Sequence, residues 1–417
     1  MNFPTPKLIS FRDEVTSVEN TTYLTHSLYY HPAKFIPQIV RFCLDNYYNG
    51  NGAVLDPFAG SGTLGVETAI NGYKTYLLDI NPLLNYFYPI KIPKFSIADW
   101  EKHVSDSKIV ITDLLNKQNK SSIEINNHLN YWYPEQLYSF FNNLWNNFYK
   151  QEKNNDEIVN KIVTLVLFKL SKQYSYAEHS MPKLFSSKRK RKQINELLED
   201  NNILFEKINK SVKTYLLNID KSVKQLLNIN LNSNLEYFSG VDAYSFDYSK
   251  LSELSCIITS PPYLQAQEYI RTFKLEMMWA KISNEEIKQF SNKEIPFRKT
   301  EGIIHGRYLD SVRNKIKRKD LLNLFDSYFW YTIKTLENAS KRLVKGGKLC
   351  VLIGNPKMSG VEVEIWKAIY EYFLNELNFK SVAVFEDRIK TRKLFKGRNN
   401  QNPDGMKSEY LIVLEKN

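Results

Sequence analysis

Ala53-Val54-Leu55-Asp56-Pro57-Phe58-Ala59-Gly60-Ser61-Gly62-Thr63 is the stretch on which the fold of this chain turns. Three apolar residues make a short buried strand, Asp56 and Pro57 end it, and the two glycines permit a turn closed to bulkier residues. Leu64, Val66, Glu67 and Ile70 follow at helical spacing as far as Gly72, a helix stop. Strand, glycine turn and helix open a nucleotide-type βαβ unit, in which a ligand approaches bare backbone and a helix N-terminus. Tyr76-Leu77-Leu78 is the next strand and ends on Asp79, about twenty residues beyond Asp56, where an acid receives ribose hydroxyls. The full dinucleotide glycine pattern is missing, which argues against NAD.

Upstream, an irregular start leads to His26, then His31-Pro32-Ala33-Lys34, then a helix with Ile39, Val40, Phe42, Cys43 and Leu44 inward. His31 and Lys34 suit a ligand carboxylate and equally suit a surface helix start. Downstream, the alternation of strand and helix stops between about 95 and 232. Ile208, Val212, Leu216, Ile219, Val223 and Leu227 recur at 3.6-residue spacing, and 158–170 is apolar almost all round. The expectation is a separate, mainly helical domain inserted after the second strand. Between its helices stands the run Lys188-Arg189-Lys190-Arg191-Lys192, which reads either as a phosphate-contacting loop or as a solvated face.

The sheet resumes at 235–238, just before Asp242. Cys256-Ile257-Ile258 is a further strand, and it runs into Thr259-Ser260-Pro261-Pro262-Tyr263. Two prolines fix the backbone and remove two donors, so nearby carbonyls stay free to accept. A hydroxyl, free carbonyls and the flat ring of Tyr263 suit the amino edge and face of a nucleobase, although a Pro-Pro turn capping a strand looks the same. A helix with Tyr269, Phe273, Leu275, Met278 and Trp279 reads as core. A loop-like stretch at 292–320 carries the basic run 313–319, and the helix from 321 to 343 should stop at Gly346-Gly347. Strands at 348–353, 382–385 and 410–414 bring the count to seven. Arg388, Lys390, Arg392, Lys393, Lys396 and Arg398 crowd the last connection, which suits a phosphate backbone. The fold class is therefore α/β: a doubly wound seven-stranded sheet from 1–94 and 233–417, with 95–232 inserted and ligands at the carboxyl ends of the strands.

Composition narrows the function. The chain is 417 residues long, 43% hydrophobic and 14% aromatic, so it is globular. Its net charge of +12 favours a polyanionic partner. Cys43, Cys256 and Cys350 lie in apolar surroundings without metal-ligand spacing and read as buried thiols of a reducing compartment. Neither a signal-peptide core in the first residues nor an apolar run of bilayer length is visible, so the expected location is the cytoplasm.

Asp-Pro-Phe-Ala-Gly-Ser-Gly-Thr at 56–63 together with Thr-Ser-Pro-Pro-Tyr at 259–263 resembles the S-adenosylmethionine-dependent amino-methyltransferases of DNA. The resemblance implies a class I methyltransferase sheet. It implies cofactor contacts at Asp56, Pro57, Phe58, Gly60, Ser61, Gly62 and Thr63, with the ribose on Asp79 and the carboxylate end near His31 and Lys34. An acid ending the third strand would accept from the cofactor's adenine, and Asp242 is preferred to Asp99 because a strand precedes it. Ser260, Pro261, Pro262 and Tyr263 would hold a flipped base of duplex DNA, Ser260 and a carbonyl drawing the amino lone pair out of conjugation. The basic groups Lys188 to Lys192, Arg392, Lys393 and Arg398 would meet the phosphates. Serine before Pro-Pro-Tyr favours N4-methylcytosine over N6-methyladenine, in a restriction-modification setting with a separate endonuclease. Two other functions remain open: an RNA enzyme acting on transfer-RNA guanosine, which usually has Asp before the prolines, and a binding module without turnover. The extra domain precedes the third-strand acid instead of following it, a departure from the common layouts of the family.

Overall fold

The structure is a computed structural model and describes residues 2–31, 35–117, 123–178, 183–229, 231, 233–264, 268–389 and 407–417. A short strand β1 (Lys7–Ile9) and helix α1 (Phe11–Glu14) precede α2 (Pro37–Tyr47), whose first residue is a proline, tolerated where the N–H would be unpaired anyway. The deciding stretch folds as β2 (Ala53–Asp56), a turn and α3 (Thr63–Ile70), followed by β3 (Thr75–Asp79) and α4 (Leu84–Lys91). Five helices then intervene: α5 (Ile97–Asn116), α6 (Glu135–Gln151), α7 (Glu157–Gln173), α8 (Lys188–Leu197) and α9 (Asn201–Leu227). The sheet returns with β4 (Leu235–Ser239) and β5 (Leu254–Thr259). After them come α10 (Tyr269–Thr272), α11 (Lys274–Trp279), α12 (Asn284–Lys293), α13 (Arg307–Arg313) and α14 (Lys319–Ser340). β6 (Leu343–Gly354), a small hairpin of β7 (Lys357–Met358) and β8 (Val361–Glu362), α15 (Ile365–Asn375), β9 (Phe379–Arg388) and β10 (Ser408–Lys416) close the chain.

The main sheet has eight strands in the order β1-β9-β10-β6-β5-β2-β3-β4. Only β10 runs against its neighbours. Seven strands were expected. The eighth is β1, too short and too exposed to show a pattern, with Leu8 61% accessible, and defined only by its pairing with Phe385 to Asp387. The order reverses between β2 and β5, so their carboxyl ends flank the crevice where such sheets bind ligands. Alternate side chains of β6 pack on opposite faces: Leu349, Val351 and Ile353 on one, Cys350 and Leu352 on the other.

One other expectation is corrected. The helix α14 ends at Ser340, and Gly346 and Gly347 lie inside β6. There Gly346 takes a φ of +78°, and a Cβ on Gly347 would come within 2.9 Å of the Val344 carbonyl and 3.2 Å of the Ser255 carbonyl. The glycines therefore serve an irregularity in the strand, where the β5–β6 register shifts, instead of capping a helix. The inserted helices share one apolar layer with a face of the sheet. Trp145 of α6 stacks on Trp279 of α11 at 5.9 Å, and Lys172 of α7 bonds the Thr272 carbonyl. The predicted spacing in α9 holds, with Leu226 buried in place of Leu227. Among the described residues no helix is long and apolar enough to cross a membrane.

Candidate active site

The two motifs meet through their carboxylate and hydroxyl. Asp56 ends β2 with its side chain buried, and its Oδ1 accepts from the Phe58 amide at 3.0 Å and from the Thr259 hydroxyl at 2.6 Å. Thr259 immediately precedes Ser260, so this bond fixes the start of the Pro-Pro-Tyr step against the glycine turn. Burial pushes the Asp56 carboxyl up to about 7; the two hydrogen bonds pull the other way, and the nearby Asp79 charge adds to the rise.

Asp79 supports the turn. Its Oδ2 accepts from the Gly60 amide at 2.7 Å and its Oδ1 from the Asn81 amide at 2.8 Å, while burial raises its pKa. Gly60 and Gly62 have φ of +49° and +72°. A Cβ on Gly60 would stand 3.1 Å from the His31 ring and one on Gly62 only 2.7 Å from the Tyr88 ring, so both positions demand glycine. Tyr88 donates to the Gly60 carbonyl at 3.0 Å, and the Lys91 amine donates to the Ser61 carbonyl. Ser61 and Thr63 share a hydroxyl contact at 3.1 Å.

His31 lies over this turn, its ring stacked on Tyr269 at 5.7 Å between centroids. The segment bearing His31 is tied to α3 through Glu67, which is wholly buried. Glu67 accepts from the Tyr23 hydroxyl and, at 2.8 Å, from Arg41, and it pairs with His26 Nε2 at 2.9 Å.

Asp242 follows β4, beside Asp79, whose carbonyl accepts from the Val241 amide at 3.1 Å. Its carboxylate accepts from the Tyr244 amide at 3.1 Å and from Arg298 at 2.8 Å. The Arg298 guanidinium in turn lies 3.8 Å from the centre of the Tyr331 ring. Asp99 is exposed and closes a capping box with Ser96 at the start of α5.

At the other motif, Tyr263 is half-buried and donates to Glu409 of β10 at 2.9 Å. Burial pushes its phenol up, the Glu409 charge does the same, and the Ser260 hydroxyl, beside the phenol, opposes them. Pro261 is buried and Pro262 half-buried. All three cysteines are buried free thiols, remote from any role as an exposed nucleophile.

The basic run differs from the expected loop. Residues 188–192 form the first turn of α8, capped by Ser187. Arg189 pairs with Glu178 at 2.6 Å, and Lys190 is buried with its amine 2.9 Å from the Gln173 carbonyl. Arg191 bonds Ser186 and lies 4.4 Å from the centre of the Tyr176 ring. Lys188 and Lys192 are exposed. Lys34, Arg392, Lys393 and Arg398 lie outside the described residues.

Sequence reasoning missed several residues at this site. Tyr88 and Lys91, one helical turn apart on α4, hold carbonyls of the glycine turn; a lysine ending a mostly apolar helix was the available signal. Tyr269, read as core, is only half-buried and faces His31. Glu294 accepts from the Ile270 amide at 2.9 Å, and burial pushes it up to about 7 against that bond. Nothing local marks Glu294, Arg298 or Glu409.

A mostly parallel sheet with acids ending adjacent strands, a glycine turn between the first strand and helix, and a polar Pro-Pro step beside them defines a class I methyltransferase architecture. The chain matches the family model described as DNA methylase over residues 11–87. It is 24% identical over 184 residues to the type II methyltransferase M.MjaII of Methanocaldococcus jannaschii, covering 42% of this chain and 33% of that one. It is 21% identical over 359 residues to the type II methyltransferase M.BsoBI of Geobacillus stearothermophilus, covering 82% and 65%. A third relative, the type II methyltransferase M.MvaI of Kocuria varians, is 31% identical over 98 residues, covering 23% and 22%. The matches thus span less than two thirds of the length of each relative.

Proposed function

We propose that this chain moves a methyl group from S-adenosylmethionine to the exocyclic amino nitrogen of a base flipped out of duplex DNA. The preferred base is cytosine, with adenine second, and the setting is the cytoplasmic modification half of a restriction-modification pair. The observation that carries this reading is the Asp56–Thr259 bond, which draws the cofactor turn and the Ser260-Pro261-Pro262-Tyr263 step to one edge of the sheet. Ser260 in place of an amide or acid supports cytosine. Nucleoside mass spectrometry of DNA from cells expressing the protein tests it: N4-methylcytosine is expected, N6-methyladenine alone would replace the base, and methylated transfer RNA with unmodified DNA would overturn the reading.

The residues fit the cofactor. The turn at Gly60 and Gly62 excludes side chains, and the carboxylates of Asp56, Asp79 and Asp242 stand at neighbouring strand ends, suited to an ammonium, ribose hydroxyls and an adenine amino group. His31, Pro57, Phe58, Ser61 and Thr63 would complete the wall, with Lys34 on the carboxylate. When bound, the cofactor supplies an electrophilic methyl on a cationic sulfur. The chain's part is to hold the base, accept its amino hydrogens at Ser260 and a backbone carbonyl, and aim the freed lone pair.

A cofactor bearing cationic groups favours ionised Asp56, so binding should release a proton. With Asp56 held up to about 7, the carboxyl is mostly protonated at about pH 6 and mostly ionised at about pH 8. Affinity should therefore fall about tenfold from the higher pH to the lower. Calorimetry in buffers of different ionisation heat reads both quantities; a flat profile would take Asp56 out of the contact set.

For the helical insertion the proposed role is contact with the DNA backbone. The exposed amines of Lys188 and Lys192 contribute at its edge, whereas Arg189, Lys190 and Arg191 are engaged within the protein. A cleft of about 460 Å³ between α7, α8 and α9 is lined by Lys190, Lys207 and Lys210 and by no carboxylate. The Lys207 and Lys210 amines have no hydrogen-bond or ion-pair partner among the described residues. Replacing both by Gln should weaken binding to all duplex sequences alike and flatten the slope of log affinity on log salt by about 1 to 2. An unchanged slope in an anisotropy titration would return the cleft to an ordinary solvated surface.

A further inference from the structure

Asn355, the first residue after β6, has one of the most unusual environments in the molecule. It is 6% exposed, and both its Oδ1 and its Nδ2 are buried without a hydrogen-bond partner among the described residues. A primary amide is built to donate and accept at once, and leaving it buried with neither bond made is costly enough that native proteins rarely do so without a use.

Its location points to that use. Thr259, at the end of β5, lies opposite Val351 of β6, so Ser260-Pro261-Pro262-Tyr263 leaves the sheet alongside the last residues of β6. Gly354, the residue before Asn355, lies opposite Glu409 of β10, and Glu409 accepts the Tyr263 hydroxyl at 2.9 Å. The alternation of β6 carries Leu349, Val351 and Ile353 into the layer against which Tyr263 packs, and Asn355 continues that phase. An unpartnered amide is thus delivered to the strand end next to the aromatic ring of the Pro-Pro-Tyr step.

We propose that Asn355 contacts the flipped base, its Nδ2 donating to the ring nitrogen and its Oδ1, in place of a backbone carbonyl, accepting the amino hydrogen not taken by Ser260. This amino–imine edge is common to cytosine and adenine, so Asn355 serves the substrate class without choosing between them. The inference rests on the reading of the chain as a DNA amino-methyltransferase, and it adds to Ser260 and Tyr263 a third group that touches the substrate.

The test uses the full chain and a duplex containing a mapped methylation site, alongside the same duplex with an abasic position at the target. Asn355→Leu matches the amide in shape but removes both polar atoms. It is expected to leave the melting temperature unchanged or higher, since an unpaired polar group has been removed from the free protein. Single-turnover transfer should fall about tenfold or more, as should affinity for the duplex with the base, while affinity for the abasic duplex and for the cofactor stays within about twofold. Asn355→Ala should show the same split between the two duplexes. Wild-type transfer by either variant would overturn the proposal. So would an equal loss on both duplexes, or a large drop in melting temperature, which would mark the amide as a structural group. A wild-type protein that methylates no DNA would overturn the underlying reading as well, and is told apart because the failure then appears before any substitution.

Discussion

Replacing Tyr263 or Ser260 with Ala should cut methyl transfer by about 10²–10³-fold while cofactor affinity stays within about twofold. Each residue is proposed to act on the base, and each is fixed from behind. Tyr263 is restrained at its hydroxyl by Glu409, 146 residues away, so its ring is held in one orientation instead of swinging with the loop. Ser260 follows Thr259, which the 2.6 Å bond to Asp56 pins to the end of β2. A hydroxyl positioned in this way meets the amino group without reorganising, which is where preorganised acceptors gain most over water. Thr259→Val makes the contrast: it removes the bond between the motifs and should disturb cofactor affinity as well as transfer. Rapid-quench single-turnover rates and calorimetry separate the two effects, and wild-type transfer in either Tyr263→Ala or Ser260→Ala would end the acceptor-and-stack model.

The parts of this molecule that were legible in the sequence are those whose causes are local. The glycine turn at 60–62 announces itself because its positive φ disfavours any residue with a Cβ, and that need is met by adjacent residues. The helix α9 was readable because seven buried positions repeat on one face. What stayed hidden is set by groups distant along the chain. β1 exists only because β9 offers it an edge, and nothing in Lys-Leu-Ile reports that. Arg298 finds Asp242 across 56 residues, and Glu409 finds Tyr263 across 146. The lysine-rich run misled for a related reason: charge density in sequence says nothing of partners, and Glu178, the Gln173 carbonyl and Tyr176 engage three of its five residues. Gly346-Gly347 carries the usual mark of a helix stop, yet the neighbouring backbone of β5 uses it for a strand irregularity.

Glu67→Ala should lower the free energy of unfolding by roughly 3–5 kcal/mol, a large share of the margin by which proteins stay folded. Glu67 is an isolated carboxylate in an otherwise apolar stretch of α3, entirely buried, and the charge of Arg41 is directed at it from 2.8 Å. Tyr23 and His26 use the other carboxylate oxygen. Truncation would leave a guanidinium and two polar rings facing apolar surroundings, with a cavity where the carboxylate stood. The Arg41 side chain keeps 14% of its surface in solvent, which places the expected loss toward the lower end of that range. Glu67→Gln keeps the shape and one acceptor, and should recover part of the loss. The consequence reaches the site as well, because the segment fastened by Tyr23 and His26 continues to His31 over Gly60. Cofactor affinity should therefore weaken in Glu67→Ala even in the fraction that remains folded. Urea unfolding gives the first quantity and calorimetry the second; a loss below about 1 kcal/mol with unchanged cofactor affinity would show that the N-terminal segment is held by its apolar contacts alone.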